Sequence, residues 1–342
     1  MNRKHFISSL VASGVLLPAV KSWASLSEKE DSVKLKRPPY LNPGDTIGIT
    51  SPAGHITLAG IQPSVQLMQS WGFKIETGST IGKKVFTYGG TDEERRDDLQ
   101  QMLDNPSLKA IMCARGGYGL IRIIDQLNFS KFVKYPKWLI GFSDITVLHS
   151  HVNQNFGIAT IHSKMCNSFP NDWAKAKPIQ ISTILSIRKA LTGEDLKYTA
   201  PIAVANRVGK REGVLVGGNL SIIASNAGTK SDIDTKGKIL FLEDTGEYLY
   251  SVDRMFWNLK RTGKLAQLAG LVIGGFSLKS DDPEDIFGKS IYEIVMEKIA
   301  EYDYPVCFDF PVGHQRDNFA LKCGTPHRLE VGTEGTVLSA LK

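Results

Sequence analysis

The sequence predicts an α/β fold with two domains, the first of which is built on a parallel β-sheet. The chain has 342 residues, which is enough for two separate cores. Strand and helix signals alternate over residues 44–170, as they do in parallel sheets covered by helices on both faces. From about Asn206 the pattern changes to short strands separated by glycine turns, which indicates a second, mixed α/β domain.

In the first domain, short apolar runs predict strands, and longer periodic runs predict helices. Thr91 and Glu94 form a capping box for a helix that runs to about Leu103 and is closed by Asn105-Pro106. The other predicted elements are strands at 45–50, 73–75, 109–114, 138–140 and 158–161 and helices at 61–71, after 119 and after 145. Ligands of parallel sheets bind beyond the carboxyl ends of the strands, where the turns at 115–119 and 141–144 fall.

The rest of the chain divides into a connection and the second domain. Residues 170–205 are polar with one helix signal near 179–191, and we interpret them as a connecting segment. We therefore expect a first domain over 39–169 and a second over 206–342. In the second domain we predict strands at 213–219, 238–244, 270–276, 305–309 and 327–332 and helices at 251–262 and 290–302.

The composition is that of an ordinary globular protein, with 42% hydrophobic and 22% charged residues. The formal net charge of +6 overstates the basicity of the mature chain. Removal of residues 1–24, which contain three basic and no acidic residues, leaves 38 basic and 35 acidic side chains. No basic stripe is interleaved with aromatic residues, so we expect no nucleic-acid partner.

Residues 1–24 are predicted to be an export signal. Arg3 and Lys4 form a charged start, Phe6–Val20 is mostly apolar, and Ser22-Trp23-Ala24 offers small residues at the two positions that a signal peptidase reads. The Arg3-Lys4 pair is similar to a degenerate twin-arginine signal, but Sec export is the favoured interpretation. We expect a periplasmic protein.

The export signal is not expected to persist as an anchor. Its apolar run is short and contains Gly14 and Pro18, which disfavours a membrane span. Residues 25–38 are rich in Ser, Lys and Glu and are predicted to be a flexible leader. We therefore expect no stable membrane insertion after cleavage.

The four cysteines show no zinc-like spacing, and we predict neither a metal nor another cofactor. An oxidising compartment would permit disulfides. Cys307 and Cys323 flank one segment and could pair, although buried free thiols are the favoured interpretation. The other two cysteines are Cys113 and Cys166.

Residues 141–146, Gly-Phe-Ser-Asp-Ile-Thr, form the most informative motif. They lie between a buried strand and a helix, so Ser143 is predicted at the tip of a sharp turn. Such a turn holds a hydroxyl clear of the backbone and leaves the N–H of Asp144 free to bind an oxyanion. The motif matches the hydrolase pattern G-x-S-x-G only in part, because Ile145 replaces the second glycine. The alternative interpretation of Ser143 is a helix N-cap.

A serine nucleophile needs a base, and the base needs an acid to orient it. His314 is a candidate base because it follows Pro311-Val312-Gly313 at the end of a predicted strand; its alternative is a solvated loop residue. Glu243 and Asp244 end an apolar strand, where buried acids are costly unless used or paired. Asp244 could instead cap a helix. The other histidines are His5, His55, His149, His151, His162 and His327.

The turn Arg115-Gly116-Gly117-Tyr118-Gly119 lacks the spacing of a nucleotide-binding loop. Beside a serine turn, it better suits a second oxyanion donor, because only glycine lets the backbone approach that closely. Its alternative is an ordinary strand-to-helix turn.

Five motifs together resemble the serine LD-carboxypeptidase family, which includes murein tetrapeptide carboxypeptidases and microcin immunity proteins. They occur in the family's order over about residues 40–335. The motifs are Ala114–Gly119, Gly141–Thr146, Gly217–Ser221, Leu242–Asp244 and Pro311–His314, and residues 88–95 are also similar to the family.

The resemblance implies a Ser143–Glu243–His314 triad and an oxyanion hole formed by the N–H groups of Asp144 and Gly117. Arg115 and Gly116 would bind substrate. The implied fold is an N-terminal Rossmann-like domain and a smaller C-terminal domain, with the site between them in a homodimer.

The resemblance further implies a metal-free serine peptidase that releases the terminal D-alanine of a murein tetrapeptide. It leaves open the diamino acid at position three and whether the substrate is free peptide or intact wall. The alternatives are a microcin-immunity-like hydrolase of peptidyl nucleotides, with Trp173 as a platform for the base, and a non-catalytic murein-peptide binding protein. One departure is His162-Ser163-Lys164, where the family commonly has His-Gly-Pro or His-Ser-Pro.

Overall fold

The computed structural model describes residues 34–341, which form two β-sheets with helices packed against them. The predicted export signal and most of the predicted leader lie outside the described residues. Lys36 already hydrogen-bonds to Gly157 and Ala159, so the chain is fixed to the fold within the segment predicted as a leader. Within the described part of the chain, no helix has the length and apolar character needed to cross a membrane.

The first sheet is a parallel sheet with one antiparallel edge strand. Its strand order is β2-β1-β3-β4-β5-β11, and all contacts are parallel except β5 with β11. The order of the first five strands is that of a doubly wound α/β fold. The strands are β1 Thr46–Thr50, β2 Lys74–Thr77, β3 Leu108–Cys113, β4 Trp138–Gly141, β5 Thr160–His162 and β11 Leu321–Cys323.

The second sheet is mixed. Its order is β10-β9-β8-β7-β12-β13-β6, with β7 to β10 parallel and the remaining neighbours antiparallel. The strands are β6 Lys197–Ala200, β7 Gly209–Asn219, β8 Ile239–Glu247, β9 Gly270–Leu278, β10 Val306–Cys307, β12 Thr325–Val331 and β13 Thr336–Ala340. The predicted combination of a parallel-sheet part and a mixed α/β part is confirmed.

Eight α-helices are found among the described residues. The capping box at Thr91 and Glu94 is present as predicted and begins the second of them. The helices are α1 Leu58–Ser70, α2 Asp92–Asp104, α3 Ser130–Lys134, α4 Thr146–Phe156, α5 Pro178–Thr192, α6 Leu220–Ser225, α7 Leu249–Arg261 and α8 Ile291–Lys298.

The structure differs from the prediction at short elements. No long helix follows Gly119; the chain forms two single-turn 3₁₀ helices at Leu120–Arg122 and Ile124–Gln126. Strands β6, β11 and β13 are absent from the prediction, because strands of three to five residues carry little periodic signal. Through β11 the C-terminal part of the chain joins the first sheet, which ties residues just after His314 to that sheet.

The cysteines do not form the disulfide considered above. All four are free and buried. Cys307 lies on β10 at the edge of the second sheet, and Cys323 lies on β11 at the edge of the first sheet, so the two strands belong to different sheets. Burial raises the pKa of both thiols, which disfavours the reactive thiolate.

A buried carboxylate fixes the loop that follows β1. Asp98 accepts hydrogen bonds from the Thr50 and Thr80 hydroxyls and from the Ser79 N–H at 2.6–2.7 Å. The Thr80 hydroxyl oxygen in turn accepts from Ser51 N at 2.9 Å. This network holds the turn after β1, whose Gly54 N–H donates to the Gly116 carbonyl at 2.7 Å.

We predict that Asp98→Ala lowers the free energy of unfolding by roughly 2–4 kcal/mol, because it leaves several buried donors without an acceptor. The matched control is Asp97→Ala on the same helix. The Asp97 side chain is 67% exposed and pairs only at the surface, so its removal should change stability by no more than about 0.5 kcal/mol. Urea unfolding followed by circular dichroism measures both; equal effects would contradict the role of the Asp98 network.

Candidate active site

Ser143 lies at a sharp turn between β4 and α4, as predicted. Its φ is +64°, one of three positive values at non-glycine residues in the described part of the chain. Such a conformation costs of order 1–3 kcal/mol and occurs preferentially at functional sites. Ser143 opens a 3₁₀ turn that leads into α4, and no side chain caps either helix start. The N-cap interpretation of Ser143 is therefore wrong.

The glycine turn after β3 lies against Ser143. A Cβ added to Gly116 would come within 3.0 Å of the Ser143 Cβ and 3.2 Å of its Oγ, so a side chain at this position would press on the serine. Gly117 follows with φ +99°. Arg115 is exposed, and its Nη1 donates to the His55 carbonyl at 2.9 Å. Of the predicted residues of this turn, Gly116 thus adjoins Ser143, while the Arg115 guanidinium is turned toward the loop after β1.

Asp144 joins the serine turn to the glycine turn. Its carboxylate Oδ2 accepts the Leu120 N–H at 2.9 Å, and burial raises the pKa of this carboxyl to about 6. The Asp144 N–H lies in the first turn of a helix, where N–H groups have no intrahelical acceptor. The oxyanion role of this N–H stays a prediction.

His314 and Glu243 form a close pair. The His314 Nδ1 lies 2.5 Å from Glu243 Oε2, and the same oxygen accepts the His314 N–H at 3.2 Å. Glu243 is fully buried, whereas the His314 side chain is 18% exposed. The His314 ring centroid lies 4.9 Å from that of Phe142, the residue before Ser143. The structure thus pairs His314 with Glu243 and places the imidazole against the residue that precedes Ser143.

The loop that carries His314 is held close to the second sheet. Gly275 N on β9 donates to the Val312 carbonyl at 2.9 Å, and the Gly313 N–H donates to Asn318 at 2.9 Å. Gly313 has φ +104°, and a Cβ there would lie 2.4 Å from the Glu243 Cβ. Glycine is therefore required for His314 to reach Glu243.

Asp244 is structural. It accepts the Asn219 amide at 2.9 Å, the Thr245 N–H at 2.7 Å and the Ser221 N–H at 2.8 Å, while burial raises the pKa of its carboxyl to about 6. Ser221 lies in the first turn of α6, so Asp244 stabilises the start of that helix. The helix after β8 is instead preceded by Tyr248, without a side-chain cap.

The remaining described histidines lie outside the triad. His149 and His162 are buried beneath the serine turn, and the His149 Nε2 donates to the Gly141 carbonyl at 2.9 Å. Burial lowers the pKa of His149 to about 4 and that of His162 well below its ordinary value. His55 contacts the Lys83 carbonyl, His151 contacts the Ser231 hydroxyl, and His327 is buried in β12.

A cavity of about 710 Å³ opens beside His314. Its lining includes three cations, Lys164, Lys177 and Arg316, and none of its described lining residues is acidic. Burial lowers the pKa of Lys164. These cations were not predicted as a group from the sequence. The only one that the sequence singled out was Lys164, which departs from the family pattern. Trp173 does not line the cavity; it packs against an apolar core of the first sheet.

A serine on a strained strand-to-helix turn, beside a carboxylate-bound imidazole, is the arrangement found in serine hydrolases. The family models for the N-terminal and C-terminal domains of LD-carboxypeptidases match residues 47–163 and 212–329. The chain belongs to the LD-carboxypeptidase family and is a peptidase of that family.

Relatives agree with this membership over most of the chain. A probable murein peptide carboxypeptidase of Bacillus subtilis is 31% identical over 310 residues, covering 89% of this chain and 94% of the relative. The crystal structure of muramoyltetrapeptide carboxypeptidase from Oxalobacter formigenes superposes with a TM-score of 0.76 at 27% identity, covering 87% and 99%. The Microcin C7 self-immunity protein MccF of Escherichia coli is 25% identical over 314 residues, covering 82% and 89%.

We predict that Gly313→Ala lowers kcat/KM of the peptidase reaction by about 10²-fold or more, because the added methyl group displaces His314 from Glu243. Gly263→Ala is the matched control. Gly263 also has a positive φ, of +76°, but has open space around its Cβ position. Gly263→Ala should therefore add only backbone strain, which lowers the melting temperature and leaves kcat/KM unchanged. Unchanged activity in Gly313→Ala would contradict the geometry described here.

We also predict that the free energy of unfolding falls as the pH drops from about 6.5 to 4. Burial lowers the pKa of His327 from 6.5 to about 4, so in this window the unfolded chain binds a proton that the folded chain excludes. His327→Gln should reduce the slope of stability against pH by up to about 1.4 kcal/mol per pH unit. Denaturant titrations at several pH values measure the slope, and an unaltered slope would show that His327 is not held neutral.

Proposed function

We propose that the protein is a serine-type LD-carboxypeptidase that releases the terminal D-alanine of murein tetrapeptides. The observation that carries this proposal is the Glu243–His314 pair beside the turn of Ser143, in a chain that belongs to the LD-carboxypeptidase family. The names of the Bacillus and Oxalobacter relatives support the murein peptide as the substrate class.

In this mechanism Ser143 is the nucleophile and His314 is the general base. His314 Nδ1 donates to Glu243, which leaves Nε2 to accept the proton of the Ser143 hydroxyl as Oγ attacks the carbonyl carbon. Glu243 holds one tautomer of the imidazole and stabilises the imidazolium that forms. Its burial strengthens this interaction, because little solvent screens it.

The tetrahedral oxyanion would be bound by the N–H groups of Asp144 and Gly117. Gly116 lies against the Ser143 side chain and Asp144 follows the serine, so the two N–H groups come from segments that meet at the nucleophile. Loss of one such donor typically costs 10²–10³-fold in kcat.

Collapse of the intermediate breaks the C–N bond to the D-amino acid. The imidazolium of His314 gives its proton to the departing amine, and the tripeptidyl group stays on Ser143 as an ester. Water then attacks this ester with His314 again as the base, which frees the tripeptide and restores the hydroxyl.

The cationic cavity suits this substrate class. A murein peptide carries several carboxylates, and Lys164, Lys177 and Arg316 surround the space beside His314.

We also propose that the protein acts in the periplasm as a homodimer, as its sequence and family resemblance predict. The peptidyl-nucleotide alternative lacks support from Trp173, which lies outside the cavity lining.

We predict that Ser143→Ala keeps the fold and lowers D-alanine release by about 10⁴-fold or more, because it removes the nucleophile. The measurement follows D-alanine from defined tri-, tetra- and pentapeptides, with melting temperatures as the check on folding. The matched control is Ser225→Ala, an exposed serine on α6 that should keep full activity.

The same assay separates the alternatives. Wild-type turnover in a folded Ser143→Ala protein would remove the serine mechanism. A wild-type protein that hydrolyses an aminoacyl sulfamoyl- or phosphoramidate-linked nucleoside but no tetrapeptide would support the peptidyl-nucleotide activity instead. Binding of tetrapeptide without any turnover would support a non-catalytic binding protein.

A further inference from the structure

The segment after β5 brings a cation beside the nucleophile. The Ser163 N–H donates to the Gly141 carbonyl at 3.0 Å, which fixes this segment to the start of the serine turn. The Met165 methyl carbon lies 3.3 Å from the Cβ position of Gly116, the glycine that adjoins Ser143. Lys164 stands between these two anchored residues, at the position where the sequence departs from the family pattern.

The Lys164 ammonium and the His314 imidazole adjoin the same side chain. Lys164 Nζ lies 5.7 Å from the centroid of the Phe142 ring, and the His314 ring centroid lies 4.9 Å from it. Phe142 directly precedes Ser143. A group held by Lys164 would therefore lie in the part of the cavity that Phe142 and His314 also line.

The ammonium has free hydrogen-bonding capacity toward the cavity. Nζ donates to the Gln315 carbonyl at 2.6 Å, and an ammonium has three donors. Among the described residues, no carboxylate forms a salt bridge with Lys164, although Asp317 and Glu243 lie near enough to favour its charged form. A half-buried cation that lacks an anionic partner and lines a cavity is suited to bind an anion.

We propose that Lys164 binds the C-terminal carboxylate of the substrate and thereby restricts cleavage to the terminal residue. The proposal rests on the function proposed above. In that reaction one Cα separates the scissile nitrogen from the terminal carboxylate, so the carboxylate must lie close to the Ser143–His314 pair. Lys177 and Arg316 are exposed at the rim of the cavity and suit the more distant carboxylates.

The test compares a tetrapeptide ending in D-alanine with the same peptide ending in D-alanine amide. The wild type should prefer the free carboxylate. Lys164→Met should lower kcat/KM for the free acid by about 10- to 100-fold, mainly through KM, and should change kcat/KM for the amide by less than about threefold. Lys164→Arg should restore most of the preference. Lys175→Met, at a lysine that is 85% exposed and outside the cavity lining, should leave it unchanged.

Two results would overturn the proposal. If Lys164→Met lowers kcat/KM equally for the free acid and the amide, Lys164 only holds the His314 loop through Gln315. If Lys164→Met keeps the full preference for the free acid, another residue binds the terminal carboxylate. Calorimetric binding of both peptides to Ser143→Ala, with and without Lys164→Met, separates this proposal from the proposed function. A Lys164-dependent preference in binding would support the carboxylate site even if the wild type releases no D-alanine, and binding without such a preference, or no binding, would overturn it.

Discussion

The hydrogen bond between Glu243 and His314 is the interaction on which the site depends. Glu243 is fully buried at the end of the apolar part of β8, and its Oε2 accepts both the Nδ1–H and the N–H of His314. A buried carboxylate in this position is costly unless it is paired. The fold meets that requirement by bringing the loop after β10 onto the sheet, and the same contact sets His314 beside Phe142 and the serine turn.

Close backbone approach is the second constraint. Gly313 permits the loop to pass within contact of Glu243, and Gly116 permits the glycine turn to contact Ser143. Asp98 fixes the turn after β1, and Gly54 of that turn donates to the Gly116 carbonyl. Hydrogen bonds therefore link a buried carboxylate on α2 to the glycine turn, and Gly116 of that turn lies against the Ser143 side chain. Positions far from the chemistry can thus affect the site through geometry.

Much of the fold was predictable because its signals are local. The apolar strands β1, β3, β4, β8 and β9 and the capping box at Thr91 and Glu94 follow from short sequence windows. The short strands β6, β11 and β13 were missed, because three to five residues carry little periodic signal and the pairing of such strands can depend on partners distant in sequence. Strand β11 is the clearest case, since it leaves the second half of the chain and pairs with β5 in the first sheet.

The candidate site, like the fold, could be predicted from the sequence only in part. The turn of Ser143 was visible in the order of strand, glycine and serine, whereas Glu243 and His314 needed the family resemblance to be joined, because 71 residues separate them. Lys164 could not be placed in the cavity from sequence, since its position depends on bonds from Ser163 to Gly141 and from its own Nζ to Gln315. The structural role of Asp244 also could not be predicted from sequence. Only the structure shows that its carboxylate accepts the Ser221 N–H at the start of α6.

In the proposed mechanism the buried Glu243 activates Ser143 through His314. This activation is tested most directly by the rate at which a fluorophosphonate labels Ser143, measured by intact-mass and peptide mass spectrometry, in the wild type and in folded Glu243→Gln and His314→Gln variants. We expect a single adduct on Ser143 and labelling that is about 10²–10⁴-fold slower in both variants. Equal labelling rates in all three proteins, or an adduct on another residue, would contradict it.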